Sequence, residues 1–168
     1  IAVATVATVL GIKARQESER ATASRDFLIE MFRQANPDLH RGQEVTAKQL
    51  LENAQGTIQG TLQLPPLLQA ELLHGLGQAQ SNMSDYTRAD ATFAQSLQVY
   101  RQLGRSDKSL SVTIDQAWAV YLSGDYRRAE AMLADVTAES VVRNLPPTNQ
   151  LTFYELRGFI GISKGALV

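Results

Sequence analysis

One short pattern of the sequence recurs after forty residues, and this repetition restricts the fold more than any other feature. The first copy consists of Asp85, Tyr86, Ala89 and Phe93. The second copy consists of Asp125, Tyr126, Ala129 and Leu133, at the same spacings. Four coinciding offsets indicate an internal repeat, in which each unit hides its apolar face by stacking on its neighbours.

Each copy has the pattern of a helix, a tight turn and a second helix, because apolar residues recur at three- and four-residue spacing. The predicted helices are 66–82 and 86–103 in the first unit, 107–123 and 126–142 in the second, and 148–163 in a final partial unit. Pro66 suits the first turn of a helix, and an alanine in the second helix lets the two helices of a pair approach closely. Strand signals are nearly missing, so the predicted fold class is all-α.

The chain before Pro66 predicts an atypical helical hairpin. Its first helix ends at Asn36-Pro37, because the residue before a proline is disfavoured in the α region. After a loop through Gly42, Thr46 is the predicted N-cap of the second helix. The stripe of that helix expected to be buried is Leu50, Leu51, Ala54, Ile58 and Leu62. Gly56 and Gly60 weaken this helix, so we expect close contact with a neighbouring helix there.

The first 12 residues, IAVATVATVLGI, carry no charge. A bilayer-spanning helix needs about 20 apolar residues, so we interpret the run as the end of a transmembrane helix that begins upstream. A helix packed in a soluble core is the alternative. The polar stretch that follows suits a helix leaving a membrane. The predicted organisation is residues 1–22 for this helix and a polar linker, 23–64 for the hairpin, 65–104 and 105–145 for two repeats, and 146–168 for a truncated third.

The repeat resembles the tetratricopeptide repeat family. The matching large, small and aromatic positions are Leu73, Leu76, Gly77, Ala89 and Phe93. The resemblance implies an α-solenoid of antiparallel helix pairs, here preceded by an apolar N-terminal helix, that binds a protein or peptide partner. The period of forty is longer than the usual 34 residues and is similar to longer-helix variants in bacterial signalling proteins.

Residues 1–104 also resemble the segment after the membrane helix in bacterial membrane-anchored serine/threonine kinases, or in similar winged-helix regulators. The pattern that carries this resemblance is RDFLIEMFRQANPD followed by TAKQLLENA. It implies a single-pass signalling protein with repeats outside the cytoplasm and either a kinase domain or a DNA-binding domain in upstream sequence. The basic residues Lys13, Arg15 and Arg20 beside the apolar run favour a cytoplasmic location instead, so both orientations stay open.

The sequence predicts no enzyme activity for this segment. It has no cysteine, and its two histidines, His40 and His74, have no carboxylate or second histidine at ligand spacing, so no metal or cofactor is expected. Kinase catalytic motifs are absent. With 16 basic and 17 acidic residues, no net field attracts nucleic acid. We expect Asp85 and Asp125 to cap helices rather than to act as paired acids.

The family resemblance implies that the first helix of each unit lines a concave groove. The residues predicted to bind a partner there are His74, Gln78, Asn82, Ile114, Trp118, Tyr121, Glu155 and Phe159. The alternative for Trp118 is that it packs against the next helix. The predicted function is a scaffold or sensor module for a protein or peptide in a membrane-anchored signalling protein. The alternative function is homodimerisation that couples signalling domains across the membrane.

Overall fold

Seven α-helices and their connecting turns form the part of the chain that this computed structural model describes, namely residues 2–34, 45–61, 64–134, 136, 142 and 144–165. No strand occurs in these residues, as the predicted all-α class requires. The helices are α1 (Ala2–Gln34), α2 (Ala47–Gly56), α3 (Pro66–Asn82), α4 (Tyr86–Gln102), α5 (Ser106–Leu122), α6 (Tyr126–Ala134) and α7 (Pro147–Gly165). By their contacts the residues separate into two units, 1–69 and 70–168.

In the first unit, α1 packs against α2, and a π-helical segment, Thr57–Thr61, extends α2. The helix start at Thr46 is as predicted: the Gln49 N–H donates to Thr46 Oγ1 and the Thr46 N–H donates to Gln49 Oε1. This reciprocal capping box satisfies two backbone donors that a helix start otherwise leaves unpaired. The predicted stripe on α2 is only partly buried: Ala54 and Ile58 are buried, whereas Leu50 and Leu51 are half-buried.

Helix α1 is continuous through the polar stretch that was predicted to be a linker. Among the large apolar residues near its C-terminal end, Phe27 is buried, whereas Leu28 and Phe32 are exposed. Within the described residues of the chain, no helix is both long enough and apolar enough to cross a bilayer. The identity of the first residues as the end of a membrane helix stays a prediction.

Among the described residues, no close helix contact occurs at Gly56 or Gly60, contrary to the expectation for these residues. A Cβ placed on either glycine would meet no atom within 4 Å. Gly56 is the last residue of α2 and Gly60 lies in the π-helical segment, so both occur where the regular helix ends. The predicted helix end at Asn36-Pro37, the loop through Gly42, His40 and Leu62 lie outside the described residues.

Three turns of the repeat unit share one backbone geometry at intervals of twenty residues. Their central residues, Ser84, Gly104 and Gly124, have positive φ angles of 61°, 65° and 96°. In each turn the next residue donates its N–H to a carbonyl five residues earlier, at 2.9 Å, 2.9 Å and 3.2 Å. This is the Schellman motif, which satisfies the carbonyls at a helix end. The forty-residue period is therefore two helices with their turns.

The two repeat-equivalent aspartates differ in their capping. Asp125 Oδ1 accepts a hydrogen bond from the Arg128 N–H at 3.1 Å, so it caps α6 as predicted. Asp85 occupies the N-cap of α4 but makes no capping hydrogen bond with its side chain; its carboxylate lies 3.5 Å from Arg88. The prediction of a side-chain cap is wrong for Asp85, because its carboxylate faces that guanidinium.

The signature residues lie where helices of a pair meet. Ala89 and Phe93 are buried in α4, as are Ala129 and Leu133 in α6. Phe93 packs directly on Gly77 of α3, and Ser96 donates to the Ala70 carbonyl at 2.8 Å. Helices α5 and α6, which form the second pair, share a core with α7. Its buried members are Ile114, Ala117, Val120, Ala129, Leu133, Val136, Val142, Leu145, Phe153, Leu156 and Ile160.

Helix α6 is shorter than predicted. It ends at Ala134, and Val136 lies in a turn in which its N–H donates to the Leu133 carbonyl. A continuous helix over 126–142 is therefore wrong. The sequence Asp135-Val136-Thr137 consists of residues with low helix propensity, which explains why the helix ends early.

Candidate functional site

A groove with a cavity of about 380 Å³ crosses α3, α5 and α7, which are the first helices of the three successive repeats. Helices α3, α5 and α7 supply all of its lining residues except Phe93, which comes from α4. The lining residues are Gln78, Ser81, Asn82, Phe93, Asp115, Trp118, Thr152 and Glu155. All of them belong to the unit formed by residues 70–168. This set of residues is called the groove below.

The wall supplied by α3 follows from helical spacing. Gln78, Ser81 and Asn82 are three and four residues apart, so they share one face at the C-terminal end of the helix. Gln78 and Asn82 are exposed, whereas Gly77 beside them is buried against Phe93. The polar side chains of α3 therefore point to the groove while its small residue faces the partner helix.

Asp115 of α5 contacts side chains of both α3 and α7, the first helices of the neighbouring repeats. Its Oδ2 lies 2.7 Å from His74 Nε2 and accepts a hydrogen bond from Gln78 Nε2 at 2.8 Å, both on α3. Its Oδ1 accepts one from Asn149 Nδ2 of α7 at 3.3 Å. Since a carboxylate accepts, His74 carries its proton on Nε2 in this contact. One carboxylate thus holds α3, α5 and α7 around the groove.

Three aromatic rings lie between α5 and α7. Trp118 is 6.1 Å from Tyr121 and 5.9 Å from Phe159, measured between ring centroids, and Tyr121 is also 6.1 Å from Phe159. Such offset ring pairs are each worth about 1 kcal/mol beyond the area they bury. Trp118 therefore packs against the next helix and lines the groove at the same time; the two interpretations of this residue are compatible.

The eight residues predicted to bind a partner are not all brought together. Gln78, Asn82, Trp118 and Glu155 line the groove. His74 does not line the groove but contacts Asp115, which does. Tyr121 and Phe159 do not line it either, and their rings pack against Trp118. Whether these seven contact a partner stays a prediction.

Ile114 does not lie in the groove and is a correction. Its side chain is 0% exposed and belongs to the core shared with α6 and α7. Being apolar, it takes the buried position, and the adjacent Asp115 turns towards the groove instead. The groove register on α5 is therefore one residue later than predicted at this point.

Sequence reasoning missed Asp115 and Phe93 as groove residues. A signal for Asp115 was available, because it is the only charged residue in the stretch from Leu110 to Leu122. A single charge in an apolar helix requires a polar partner when it is half-buried. Phe93 gave no such signal, since its aromatic ring fits the core position that the repeat assigns to it.

A separate polar contact joins α5 to the second helices of the two pairs, α4 and α6. Arg128 of α6 donates from both terminal nitrogens to the Asp90 carboxylate of α4, at 2.6 Å and 2.9 Å. The Gln116 amide of α5 donates to Asp90 Oδ1 at 2.7 Å. The hydrogen bonds to Asp90 raise the pKa of Arg128 above its ordinary value. This contact links α4, α5 and α6.

The groove offers recognition groups and no reactive set. It contains two carboxylates, two amides, two hydroxyls and two aromatic rings, but no cysteine, lysine or histidine lines it. Among the described residues, no three or more potential ligand side chains are grouped as a metal site would require. The side chains present can form hydrogen bonds, ion pairs and ring contacts with a bound chain.

Comparison with family models gives one finding. Residues 68–138, which run from α3 past α6, match the model described as Tetratricopeptide repeat. No curated protein and no solved structure matches the chain. Repeats of this family generally mediate protein–protein interaction and are typically non-catalytic scaffolds. Over residues 68–138 the chain is thus similar to the tetratricopeptide repeat family, in agreement with the packed helix pairs seen there.

Proposed function

We propose that the groove binds a protein or peptide partner and that the repeat unit acts as a scaffold or sensor module. The observation that carries this proposal is the cavity that α3, α5 and α7 line together. Three equivalent helices contribute to one continuous surface, which suits a ligand that extends along the chain of repeats.

Two groove residues have polar groups available to a ligand. Within the described part of the chain, Trp118 Nε1 has no hydrogen-bond acceptor and the Glu155 carboxylate has no donor or cation. Trp118 is half-buried, so a partner would cover the rest of its ring. Tryptophan is enriched among residues that contribute most to binding energy, because it supplies a large rigid area at little cost in conformational entropy.

The walls of the groove are held in place before any partner arrives. Asp115 connects α3 to α7, and the rings of Trp118 and Phe159 connect α5 to α7. A site whose walls are fixed loses less conformational entropy on binding, so a given contact area gives higher affinity.

A groove-filling substitution tests this proposal. Asn82→Trp would place a large ring in the open groove from an exposed position. We expect the affinity for a partner to fall about ten-fold or more while the midpoint of urea unfolding stays unchanged. Trp118→Ala is less informative, because it also removes contacts with Tyr121 and Phe159. The matched control is Gln98→Trp, at an exposed position of α4 outside the groove.

The partner for this measurement is identified by photo-crosslinking, with benzoylphenylalanine placed at Asn82 or at Gln98. The dissociation constant of the partner identified in this way is then measured with the wild-type chain and with each of the two tryptophan variants. Equal affinity for Asn82→Trp and the wild type would exclude the groove as the binding site.

A second candidate function, homodimerisation, is favoured by the outer face of α7. Leu151, Tyr154 and Ile162 are 61%, 53% and 70% exposed. At Gly158, which corresponds to Gly77 in the first repeat, an added Cβ would meet no atom within 4 Å. Tyr154 and Ile162 lie one turn on either side of Gly158, so two antiparallel copies of α7 crossing there would bring Tyr154 against Ile162.

Light scattering over a concentration series tests this second function. A dimer that dissociates when Ile162 is changed to Glu supports it, and Arg127→Glu, an exposed change on α6, is the control. A monomer of unchanged mass up to high concentration would rule out the dimer.

The cellular setting is a separate proposal: a single-pass, membrane-anchored bacterial signalling protein with its repeats outside the cytoplasm. It is supported by the charge-free run in residues 1–12 and by the resemblance of residues 1–104 to segments that follow the membrane helix of such proteins. Carbonate extraction of membranes from the source cells tests the anchor, and protease access in intact spheroplasts tests the side. Release of the protein by carbonate would contradict the anchor.

A further inference from the structure

The lining of the groove includes carboxylates but no lysine or arginine. Asp115 and Glu155 are its two ionisable lining residues, and none of the eight lining residues is lysine or arginine. The basic residue of α5, Lys108, is seven positions before Asp115, about 10 Å along the helix. Amide oxygens of Gln78 and Asn82 and hydroxyls of Ser81 and Thr152 add further acceptors.

The two carboxylates are in different states. Asp115 accepts hydrogen bonds from the amides of Gln78 and Asn149, and its Oδ2 lies 2.7 Å from His74 Nε2, so three partners fix its position. Glu155 is exposed and, among the described residues, has no partner at all. The groove therefore contains one fixed carboxylate and one that is free to pair with a ligand.

Trp118 lines the same cavity as these carboxylates. The face of an indole ring attracts a cation through its quadrupole, more strongly than a phenyl or phenol ring does. An indole ring next to carboxylates is an arrangement that favours a cationic side chain and repels an acidic one.

We infer that the groove recognises a basic peptide segment, with a lysine or arginine side chain of the partner held between Glu155 and the ring of Trp118. This inference rests on the proposed function, since it names the chemistry of the ligand for the same groove. Charge complementarity favours such a ligand, because a neutral or acidic segment would leave the Glu155 carboxylate unpaired or repelled.

Peptide selection on the intact chain tests the inference. A phage-displayed library of random dodecapeptides is selected on the wild-type protein, after removal of phage that bind the Asn82→Trp variant. We expect the selected peptides to share a lysine or arginine at one position. Synthetic versions with that residue changed to glutamine or glutamate are then measured by fluorescence polarisation.

Variants of Glu155 test whether its carboxylate pairs with the basic side chain of the peptide. Glu155→Gln should weaken the basic peptide about two- to five-fold, the range of an exposed ion pair, and should leave the glutamine peptide unchanged. Glu155→Lys should restore binding of the glutamate peptide relative to the wild-type protein. Affinity for the basic peptide should also fall as salt is raised. The matched control is Glu17→Gln, which removes one exposed carboxylate of α1 and should change nothing.

The outcomes separate the inference from the proposed function. Groove-dependent peptides that are neutral or acidic, with the same affinity for Glu155→Gln and wild type, would overturn the cationic specificity and leave a peptide-binding groove in place. Selection that yields no peptide sensitive to Asn82→Trp would contradict both.

Discussion

Gly77 lies so close to the ring of Phe93 that a Cβ on this glycine would stand 2.7 Å from two ring carbons. Phe93 is 1% exposed, and its ring would have to shift out of this packing to admit the added methyl group. We expect Gly77→Ala to lower the free energy of unfolding by about 1 to 3 kcal/mol, as overpacking does. Gly75→Ala is the matched control on the same helix, where nothing lies within 4 Å, and should raise it by about 0.5 to 1 kcal/mol. Urea denaturation followed by circular dichroism measures both; equal effects would contradict the close contact.

The turn at Ser84 is expected to improve with glycine. Ser84 has a φ of 61°, the conformation that its counterparts Gly104 and Gly124 adopt. Side chains disfavour this left-handed region by about 1 to 2 kcal/mol, and glycine offsets part of that gain through its entropy. Ser84→Gly should therefore stabilise the chain by about 0.5 to 1 kcal/mol, and Gly124→Ser should destabilise it. Thermal unfolding of the two variants would disprove this expectation if both lowered the midpoint.

Asp125 and Asp85 should differ in spite of their equivalent places in the repeat. Asp125→Ala removes a capping hydrogen bond from α6 and should cost about 1 kcal/mol. Asp85→Ala removes only the partly exposed contact with Arg88 and should cost about 0.3 to 0.5 kcal/mol. Denaturation of the two single variants gives the comparison; an equal loss at both positions would mean that Asp85 also caps its helix in solution.

Removal of the Asp115 carboxylate should destabilise the groove walls. Asp115→Ala leaves His74, Gln78 and Asn149 without their acceptor, and an unpaired, partly buried donor costs about 1 to 3 kcal/mol. Asp115→Asn keeps one acceptor oxygen and should fall between alanine and wild type. Unfolding free energies test the order of the three proteins. A loss of the same size in a His74→Ala background would show that the two residues are not coupled.

Asp90 and Arg128 should be coupled in a double-mutant cycle. Their bidentate contact is partly exposed, with 49% of the Arg128 side chain accessible, so solvent screens it and the coupling energy should be about 0.5 to 1 kcal/mol. Arg128→Lys should not replace the arginine, because lysine lacks the planar fork. The coupling is measured by denaturation of the four proteins and should shrink at about 1 M salt.

The helical repeat was accessible from the sequence because its determinants are local. Small residues such as Gly77 and Ala89, the turn at Gly124 and the forty-residue offset need no tertiary knowledge to be recognised. The role of Asp115 was not accessible, because its partners His74 and Asn149 are 41 and 34 residues away. Ile114 was misplaced for a related reason: helical spacing defines faces only to within about one residue, and contacts with α6 and α7 decide which one is buried.

Main-chain hydrogen bonds close the three turns at Ser84, Gly104 and Gly124, and at the third turn the Ser123 hydroxyl also donates to the Val120 carbonyl. Because the shared hydrogen bonds are between main-chain atoms, substitutions on the helices between the turns leave them intact as long as the central residue tolerates a left-handed backbone. Such a scaffold permits the groove side chains to be exchanged while the spacing of the turns stays constant. For the same reason, a designer could transplant new specificities onto α3, α5 and α7 without rebuilding the connections.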